Sequence, residues 1–151
     1  MRRKDREITD RNVIDGIIAR CSVCRIALCD EGQPYVLPLN FGYDGRYFYF
    51  HSAHDGKKIE ILRRNNRIGF EFDIFHEVIT AGTPCEWGIK YESVVGTGTA
   101  EFIESAHEKA YALGCILDQY GGSFNEFKDT GISSVTVLKV TIVSISGKAK
   151  K

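Results

Sequence analysis

The chain of 151 residues carries 20 basic and 20 acidic side chains, and this formal net charge of zero disfavours partners bound through overall charge, such as nucleic acid or an anionic membrane. The length predicts a single domain over 1–151, and no apolar segment suits a signal peptide or a membrane span. The odd count of five cysteines predicts reduced thiols and a cytoplasmic location.

The first half of the chain predicts one helix followed by strands with short connections. Thr9 and Asp10 can cap a first helix of about ten residues, because apolar side chains follow them at helical spacing. Asp44 and Gly45 form a strong hairpin-turn pair between two apolar strands. The pattern predicts strands over residues 25–30, 34–43, 46–52 and 67–75, and a second helix over 57–64.

The second half predicts a long strand, a helix and a final strand, separated by loops. Gly96 and Gly98 lie within the long strand and indicate a bulge or a close backbone approach. Ser105 and Glu108 match a capping box, and the glycines at 121–122 would end the helix that follows. The predicted segments are a loop over 77–86, a strand over 91–103, a helix over 106–120, a polar loop over 123–132 and a strand over 133–146.

Together these segments predict six strands with three helices. Short connections favour antiparallel pairing, and the hairpins come first without regular βαβ alternation. We therefore expect a mainly β fold, an antiparallel β-barrel with peripheral helices, rather than a doubly wound parallel sheet.

The segment YFYFHSAHDGKK, residues 47–58, carries the strongest functional signal. It passes from an aromatic strand through a polar turn into the start of a helix. Ser52 and the loop N–H groups can bond an anion such as phosphate while Lys57 and Lys58 neutralise it, since lysines in a first helical turn oppose the helix dipole. The alternative is that Ser52 or Asp55 only caps the helix and that the lysines are solvated.

The histidines and cysteines each have a functional and a structural interpretation. His51 ends the aromatic strand beside the predicted anion site, where it could contact a cofactor or act as an acid, but a structural role is the commoner one for His51 and for His54. These two have no third ligand at a recognisable spacing, so no metal site is predicted.

Cys21 and Cys24 form a C-x-x-C motif, which could be redox-active or half of a zinc site. The motif closes a helix rather than opening one, which favours buried structural thiols.

Two further features lie near this segment. Lys57, Lys58 and nearby arginines stand close to the aromatic residues of strand 46–52, as in a face that binds single-stranded nucleic acid, but aromatic residues in a strand more often belong to a core. Pro38 interrupts the apolar strand 34–43. Because proline lacks an N–H group, it predicts an edge strand or a local irregularity, and the free backbone groups of an edge strand could bond the rim of a planar heterocycle.

The segments PYVLPLNFGYDGRYFYFHSAHDGKKIEILRRNNRIGFEFD and KYESVVGTGTAEFIE resemble the FMN-binding split-barrel superfamily of pyridoxamine 5′-phosphate oxidase-like proteins. Within it they are most similar to the branch that includes the nitroimidazole-resistance (Nim-type) proteins. The resemblance implies a six-stranded antiparallel split barrel and a homodimer with two FMN sites at its interface. The oxidase itself carries an arginine in the strand corresponding to 35–40, and none is present here. Oxidation of pyridoxamine phosphate is therefore not implied.

The resemblance also implies the residues that contact the flavin. His51 and Ser52 would reach the flavin and its phosphate, and His51 is the candidate proton donor or substrate contact. The implied cofactor-binding residues are Leu37, Pro38, Leu39 and Asn40 along the isoalloxazine ring, His51, Ser52, Lys57 and Lys58 towards the phosphate, and Tyr91 and Ser93 from the second subunit.

These assignments predict an FMN-dependent oxidoreductase that passes electrons from a nicotinamide donor, NAD(P)H, to a small acceptor such as a 5-nitroimidazole, another nitroaromatic compound or a quinone. The chain contains no G-x-G-x-x-G fingerprint, so the nicotinamide would bind transiently. Three alternatives remain: a non-catalytic flavin or haem binder on the same scaffold, a redox or zinc protein built on Cys21 and Cys24, and a nucleic-acid-binding barrel.

Overall fold

The computed structural model describes residues 3–122 and 129–151, which form one curved sheet with helices on its outside. The strands are β1 (Glu7–Ile8), β2 (Cys24–Asp30), β3 (Gln33–Leu39), β4 (Gly42–Tyr43), β5 (Tyr47–Ser52), β6 (Arg67–Ile79), β7 (Gly88–Phe102) and β8 (Thr136–Lys150). The helices are α1 (Arg11–Arg20), α2 (Lys57–Arg64), α3 (Ala106–Gln119) and the single turn α4 (Asp129–Ile132), with 3-10 turns at Lys4–Arg6 and Pro84–Glu86. None of the described helices combines the length and apolar character needed to cross a membrane.

The connection between β3 and β4 shows that the sheet closes on itself. The described strand pairs are antiparallel, and the order is β3-β2-β6-β7-β8-β5-β4, with β1 beside β8. β3 and β4 lie at opposite ends of this order, yet only Asn40 and Phe41 separate them in the chain. Because three Cα–Cα steps span at most about 11 Å, the two edges must curl towards each other. The predicted antiparallel barrel with peripheral helices is therefore confirmed.

The structure has eight strands rather than the predicted six, because two strands contain only two residues each. β1 is too short to show a periodicity. β4 arises because the predicted strand over 34–43 divides at Asn40 and Phe41, where the chain crosses between the sheet edges and buries the Phe41 side chain completely. The loop predicted over 77–86 was wrong in part, because β6 continues as far as Ile79.

The glycines predicted to mark an irregularity lie where β7 closely approaches β8. The register of the two strands shifts between Thr97 and Gly98. A Cβ atom at Gly98 would lie 2.6 Å from the backbone oxygen of Thr141, and one at Gly96 would collide with the backbone oxygen of Ser144. The predicted bulge is therefore confirmed, and larger side chains are excluded from both positions.

Both faces of β5 are buried, which accounts for its unbroken aromatic sequence. Phe48 and Phe50 belong to the main core, which α1 also covers with its isoleucines. Tyr49, which alternates with them along the strand, belongs to a second cluster that includes Ala112 and Leu113 of α3. The strand that leads to the predicted anion site is thus held from two sides.

Two helices begin at the predicted caps. The Asp10 carboxylate accepts a hydrogen bond from the Asn12 backbone N–H at 2.9 Å, and the Ser105 hydroxyl accepts one from the Glu108 N–H at 3.4 Å. Gly121, after the end of α3, has a φ of 75°, which is the conformation expected of a glycine that stops a helix. Of the predicted polar loop, residues 123–128 lie outside the described residues.

Candidate functional site

Three segments that the sequence singles out lie together: β3, the end of β5 and the start of α2. The Lys57 amine lies 3.3 Å from the Asp30 carboxylate, which ends β2 next to β3. The same amine lies 5.0 Å from the ring centroid of Tyr35 in β3. Ser52 ends β5, and α2 begins five residues later. The structure thus places Lys57 beside Tyr35 of β3, the strand that also carries the predicted ring-binding residues.

The first turn of α2 has no side-chain cap. Its N-cap residue is Gly56, with φ 119° and ψ 165°, a conformation that only glycine adopts without strain. Within residues 3–122 and 129–151, no side chain accepts a hydrogen bond from the first turn of this helix. The interpretation in which Ser52 or Asp55 caps α2 is therefore wrong.

The backbone at this helix start offers free donors. Among the described residues, no acceptor bonds the N–H groups of Lys57 and Lys58, whereas the next two N–H groups donate to the Gly56 carbonyl. A Cβ atom at Gly56 would meet no atom within 4 Å, so the space beside these N–H groups is open. Free N–H groups at the positive end of a helix dipole are suited to an anion.

The two lysines differ in their surroundings. Lys57 is exposed and already paired with Asp30, which also accepts a hydrogen bond from Arg64 at 2.7 Å. Lys58 is half-buried, and no carboxylate of the described residues pairs with it. Burial lowers the pKa of Lys58. Because a half-buried ammonium without a counterion is unfavourable, Lys58 is the better suited of the two to receive an added anion.

The two histidines of the turn have separate roles. The His54 ring nitrogens lie 3.1 Å from the Thr136 hydroxyl and 3.2 Å from the Ser133 carbonyl. His54 thereby links the turn after β5 to the start of β8, as the structural interpretation predicts. His51 is exposed, and none of the described residues forms a hydrogen bond with its side chain. Its ring is free to contact a ligand.

The predicted ring-binding residues, Leu37, Pro38, Leu39 and Asn40, form the last part of β3 and the position directly after it. β3 pairs only with β2, where Pro38 faces Arg25, so the predicted edge strand is confirmed. Leu37 and Leu39 are half-buried, whereas Pro38 and Asn40 are exposed. The outer edge of β3 therefore presents backbone groups that no strand pairs.

Tyr91 and Ser93 lie in a different part of the sheet. Ser93 faces Asp73 across β7 and β6. The register of β2 with β6 places Asp30 about seven residues from Asp73 along the strand direction, or roughly 20 Å. Because Asp30 contacts Lys57, Ser93 lies far along the sheet from the Lys57 end of the predicted site.

Tyr91 borders an open concavity of about 940 Å³ between the β6–β7 hairpin and the end of β8. Burial raises the pKa of the Tyr91 hydroxyl, but the positive groups of Lys148 and Arg6 nearby outweigh it and lower the pKa overall. Trp87 and Lys150 also line this concavity, and the sequence reasoning missed both. The available signal for Lys150 was its alternation with Lys148 on one face of the final strand.

The remaining alternatives find little support in the geometry. Cys21 and Cys24 are buried free thiols, and burial raises the pKa of Cys21 to about 11 and that of Cys24 further. Such thiols ionise poorly, as expected of structural cysteines. Phe48 and Phe50 are 0% and 1% exposed, so neither can stack on a nucleic acid base.

Comparisons with known proteins identify the family and the fold. A family profile described as pyridoxamine 5′-phosphate oxidase matches residues 10–149. The structure of a candidate 5-nitroimidazole antibiotic resistance protein from Bacteroides thetaiotaomicron VPI-5482 superposes with a TM-score of 0.84 and is 36% identical, covering 94% of this chain and 85% of that one.

More distant relatives share the fold. A FAD- and haem-binding protein from Mycobacterium smegmatis has a TM-score of 0.88 at 20% identity, over 97% of this chain and 74% of that one. The flavocytochrome Anf3 from Azotobacter vinelandii has a TM-score of 0.86 at 19% identity, over 100% of this chain and 72% of that one.

An uncharacterised protein from Rhizobium meliloti (strain 1021) is 26% identical over 109 residues, or 70% of this chain, and the match spans 65% of that protein's length. The family profile, which matches nearly the whole chain, and the 36% identity to the Bacteroides protein together establish the relationship. The chain belongs to the pyridoxamine 5′-phosphate oxidase-like family, in the branch that includes the nitroimidazole-resistance (Nim-type) proteins.

Proposed function

We propose that this protein is a homodimeric, FMN-dependent oxidoreductase that passes electrons from NAD(P)H to a small acceptor such as a nitroaromatic compound or a quinone. The observation that carries the proposal is the uncapped start of α2 beside the half-buried Lys58. Two free N–H groups, the positive end of the helix and an unpaired ammonium are suited to a phosphate monoester. Family membership supports the proposal, as do fold relatives whose names state flavin binding.

Each predicted residue has a part in this proposal. Ser52 and the backbone N–H groups at the start of α2 hydrogen-bond the phosphate oxygens, and Lys58 neutralises them. Lys57 can add a second positive charge if it exchanges Asp30 for the phosphate. The exposed edge at Leu37, Pro38, Leu39 and Asn40 lies along the isoalloxazine ring, and its free backbone groups bond the ring's polar rim.

The proposed site combines two chains: the family resemblance assigns Tyr91 and Ser93 to the second subunit, and within one chain they lie roughly 20 Å from the Lys57 region. The second subunit then supplies both residues. FMN, when bound, accepts a hydride and passes electrons on, while the protein binds it, orients it and tunes its potential. The exposed His51 donates a proton to the acceptor or holds it in place.

A second candidate is a non-catalytic carrier of flavin or haem. One fold relative is named as a FAD- and haem-binding protein, which supports this candidate. Steady-state oxidation of NAD(P)H in the presence of a nitroaromatic acceptor separates the two functions. The proposed enzyme turns over repeatedly, whereas a carrier shows at most one equivalent of oxidation.

The first experiment is an absorption spectrum of the purified protein before and after addition of FMN, followed by chromatography of the cofactor released on denaturation. We expect a bound flavin spectrum and released FMN. A protein that shows no bound flavin absorption after excess FMN has been removed would contradict the proposal.

The phosphate assignment is tested by titrating FMN into Lys58→Ala. Loss of a charged hydrogen bond should weaken binding by about 1.5–3 kcal/mol. Arg63→Ala is the matched control, because Arg63 is an exposed cation in the same helix and should leave FMN affinity unchanged. If Lys58→Ala and Arg63→Ala bind FMN with equal affinity, Lys58 does not bind the phosphate.

A further inference from the structure

Two rows of side chains cross β6, β7 and β8 beside the concavity at the hairpin. The first row is Phe75, Tyr91 and Lys150, and the second is Asp73, Ser93 and Lys148. Residues opposite one another in adjacent strands project from the same face of a sheet. The residues predicted to meet the flavin, Tyr91 and Ser93, therefore share a face with the wall of this concavity.

The apolar wall of the concavity is unusually exposed. Phe75, Trp87 and Ile89 are 59%, 55% and 47% exposed, although all three are large apolar side chains. The Trp87 indole N–H donates a hydrogen bond to the Ala81 carbonyl at 2.9 Å, which fixes the orientation of the ring. A concave surface with clustered aromatic side chains is typical of a ligand site.

Each acidic group of the concavity already has a partner, a cation for Asp73 and a hydroxyl for Glu86. The Asp73 carboxylate is paired with Arg25, and the Glu86 carboxylate accepts a hydrogen bond from the Thr83 hydroxyl at 2.9 Å. Lys150 forms no ion pair with any described residue. Its ammonium lies over the backbone of Gly88, where a Cβ atom would collide with it.

The other cations nearby are only weakly neutralised. The Arg6 guanidinium lies 3.8 Å from the Asp5 carboxylate, which Arg3 binds more closely at 2.6 Å. The Lys148 amine lies 5.8 Å from the centroid of the Tyr91 ring. The concavity thus combines aromatic walls with the Lys150 ammonium, which no carboxylate of the described residues pairs, and this combination is complementary to an aromatic anion.

We infer that this concavity binds a planar aromatic carboxylate, with the ring against Trp87 and Phe75 and the carboxylate at the Lys150 ammonium. Binding itself does not depend on the flavin. The further role of this ligand as the electron acceptor rests on the proposed function, because the concavity shares its face with Tyr91 and Ser93.

The chain contains a single tryptophan, so quenching of its fluorescence reports directly on the concavity. We would titrate the purified protein with 4-nitrobenzoate and with the neutral 4-nitrobenzamide, before and after saturation with FMN. We expect saturable quenching by both compounds, with the carboxylate bound at least about tenfold more tightly, since a charged hydrogen bond contributes about 1.5–3 kcal/mol.

The variants Lys150→Gln, Lys150→Arg and Lys151→Gln localise the effect. Lys150→Gln should abolish most of the preference for the carboxylate, and Lys150→Arg should keep it. Lys151→Gln removes an exposed neighbouring lysine and should leave the preference unchanged. Equal affinity for the two probes, an unchanged preference in Lys150→Gln or quenching that does not saturate would each overturn the inference.

The two proposals fail in different ways. A protein that prefers 4-nitrobenzoate but does not bind FMN would overturn the proposed function and leave the aromatic-anion site in place. A protein that binds FMN but shows no preference between the probes would overturn only the aromatic-anion site.

Discussion

Lys58 is the residue at which folding stability and the proposed function conflict. Burial lowers its pKa, so its charged form is less favourable in the folded protein than in the unfolded chain. This penalty is fully present below the lowered pKa and disappears as the pH rises above the ordinary lysine pKa. A residue that destabilises the free protein in this way is common at binding sites.

We therefore expect Lys58→Met to stabilise the flavin-free protein at pH 7, raising its thermal midpoint by about 2 °C, a shift that corresponds to less than about 1 kcal/mol. FMN should raise the midpoint of the original protein much more than that of the variant. Thermal unfolding followed by circular dichroism with and without FMN measures both effects. A destabilised variant that responds normally to FMN would contradict this account.

The pH dependence of FMN binding gives an independent test of the same residue. Affinity should fall as the pH rises through the lowered pKa of Lys58, because only the ammonium neutralises a phosphate. Lys58→Arg keeps its charge at alkaline pH and should bind FMN without this fall. FMN titrations between pH 7 and pH 10 distinguish the two profiles, and identical profiles would show that another group controls binding.

The cysteines allow a prediction about reactivity. With a pKa of about 11, only about one Cys21 thiol in a thousand is ionised at pH 8, and Cys24 is ionised even less. Cys29 and Cys85 are exposed. Peptide mapping after brief treatment with iodoacetamide should find Cys29 and Cys85 alkylated well before Cys21 and Cys24. Rapid labelling of Cys21 would revive the redox interpretation.

At the scale of elements, the contact between α3 and β4 depends on a glycine. A Cβ atom at Gly42 would lie 2.5 Å from the backbone carbon of Cys115 and the backbone nitrogen of Ile116. Backbone atoms cannot rotate away as a side chain can, so α3 would have to shift as a unit. This close contact holds α3 against the outer face of the barrel.

Gly42→Ala should accordingly lower the free energy of unfolding by about 1–3 kcal/mol. Gly16→Ala is the matched control, because Gly16 lies within α1 and a Cβ atom there would meet no atom within 4 Å. That change should raise the free energy of unfolding by about 0.5–1 kcal/mol through the better helix propensity of alanine. Urea denaturation of both variants gives the comparison, and a Gly42→Ala protein as stable as the original would show that α3 moves freely.

At the scale of the whole molecule, the proposed site combines residues from two chains. A mixture of two inactive variants tests this directly. Lys58→Ala removes the proposed phosphate contact at the start of α2. Ser93→Lys places a large charged side chain on β7, where the second subunit is proposed to meet the flavin. In a mixed dimer both changes fall in one site, so the other site is intact.

Random pairing of equal amounts of the two variants makes about half of the dimers mixed, so about a quarter of all sites should regain FMN binding. Co-expression with two different affinity tags, followed by flavin titration of the doubly purified dimer, measures this. Tandem purification should then recover one intact site per dimer. If each variant alone loses binding and the mixed dimer shows no recovery, both residues belong to the site of a single chain.

Local signals in the sequence predicted much of this structure. The caps at Asp10 and Ser105, the edge strand at Pro38 and the bulge at Gly98 each follow from the chemistry of one residue and its neighbours. The helix over 57–64 was also predicted. These features depend on interactions within a few residues, which a sequence displays directly.

Features that depend on contacts between residues far apart in the sequence could not be predicted from local signals. The break at Asn40 and Phe41 has no clear signal in the sequence. The chain passes there from one edge of the sheet to the other because the barrel closes. Whether Lys57 or Lys58 lacks a partner depends on Asp30, which lies more than 25 positions earlier. The position of Lys150 beside Trp87 likewise depends on the pairing of distant strands.

The order of the strands has a consequence for synthesis on the ribosome. β8 lies between β7 and β5 in the sheet, yet it is made after both of them. Until residues 136–150 leave the exit tunnel, the nascent chain exposes two unpaired strand edges, one of them in the aromatic β5. Nascent chains stalled before position 136 should therefore aggregate or recruit chaperones, and this vulnerability ends only when the last strand inserts.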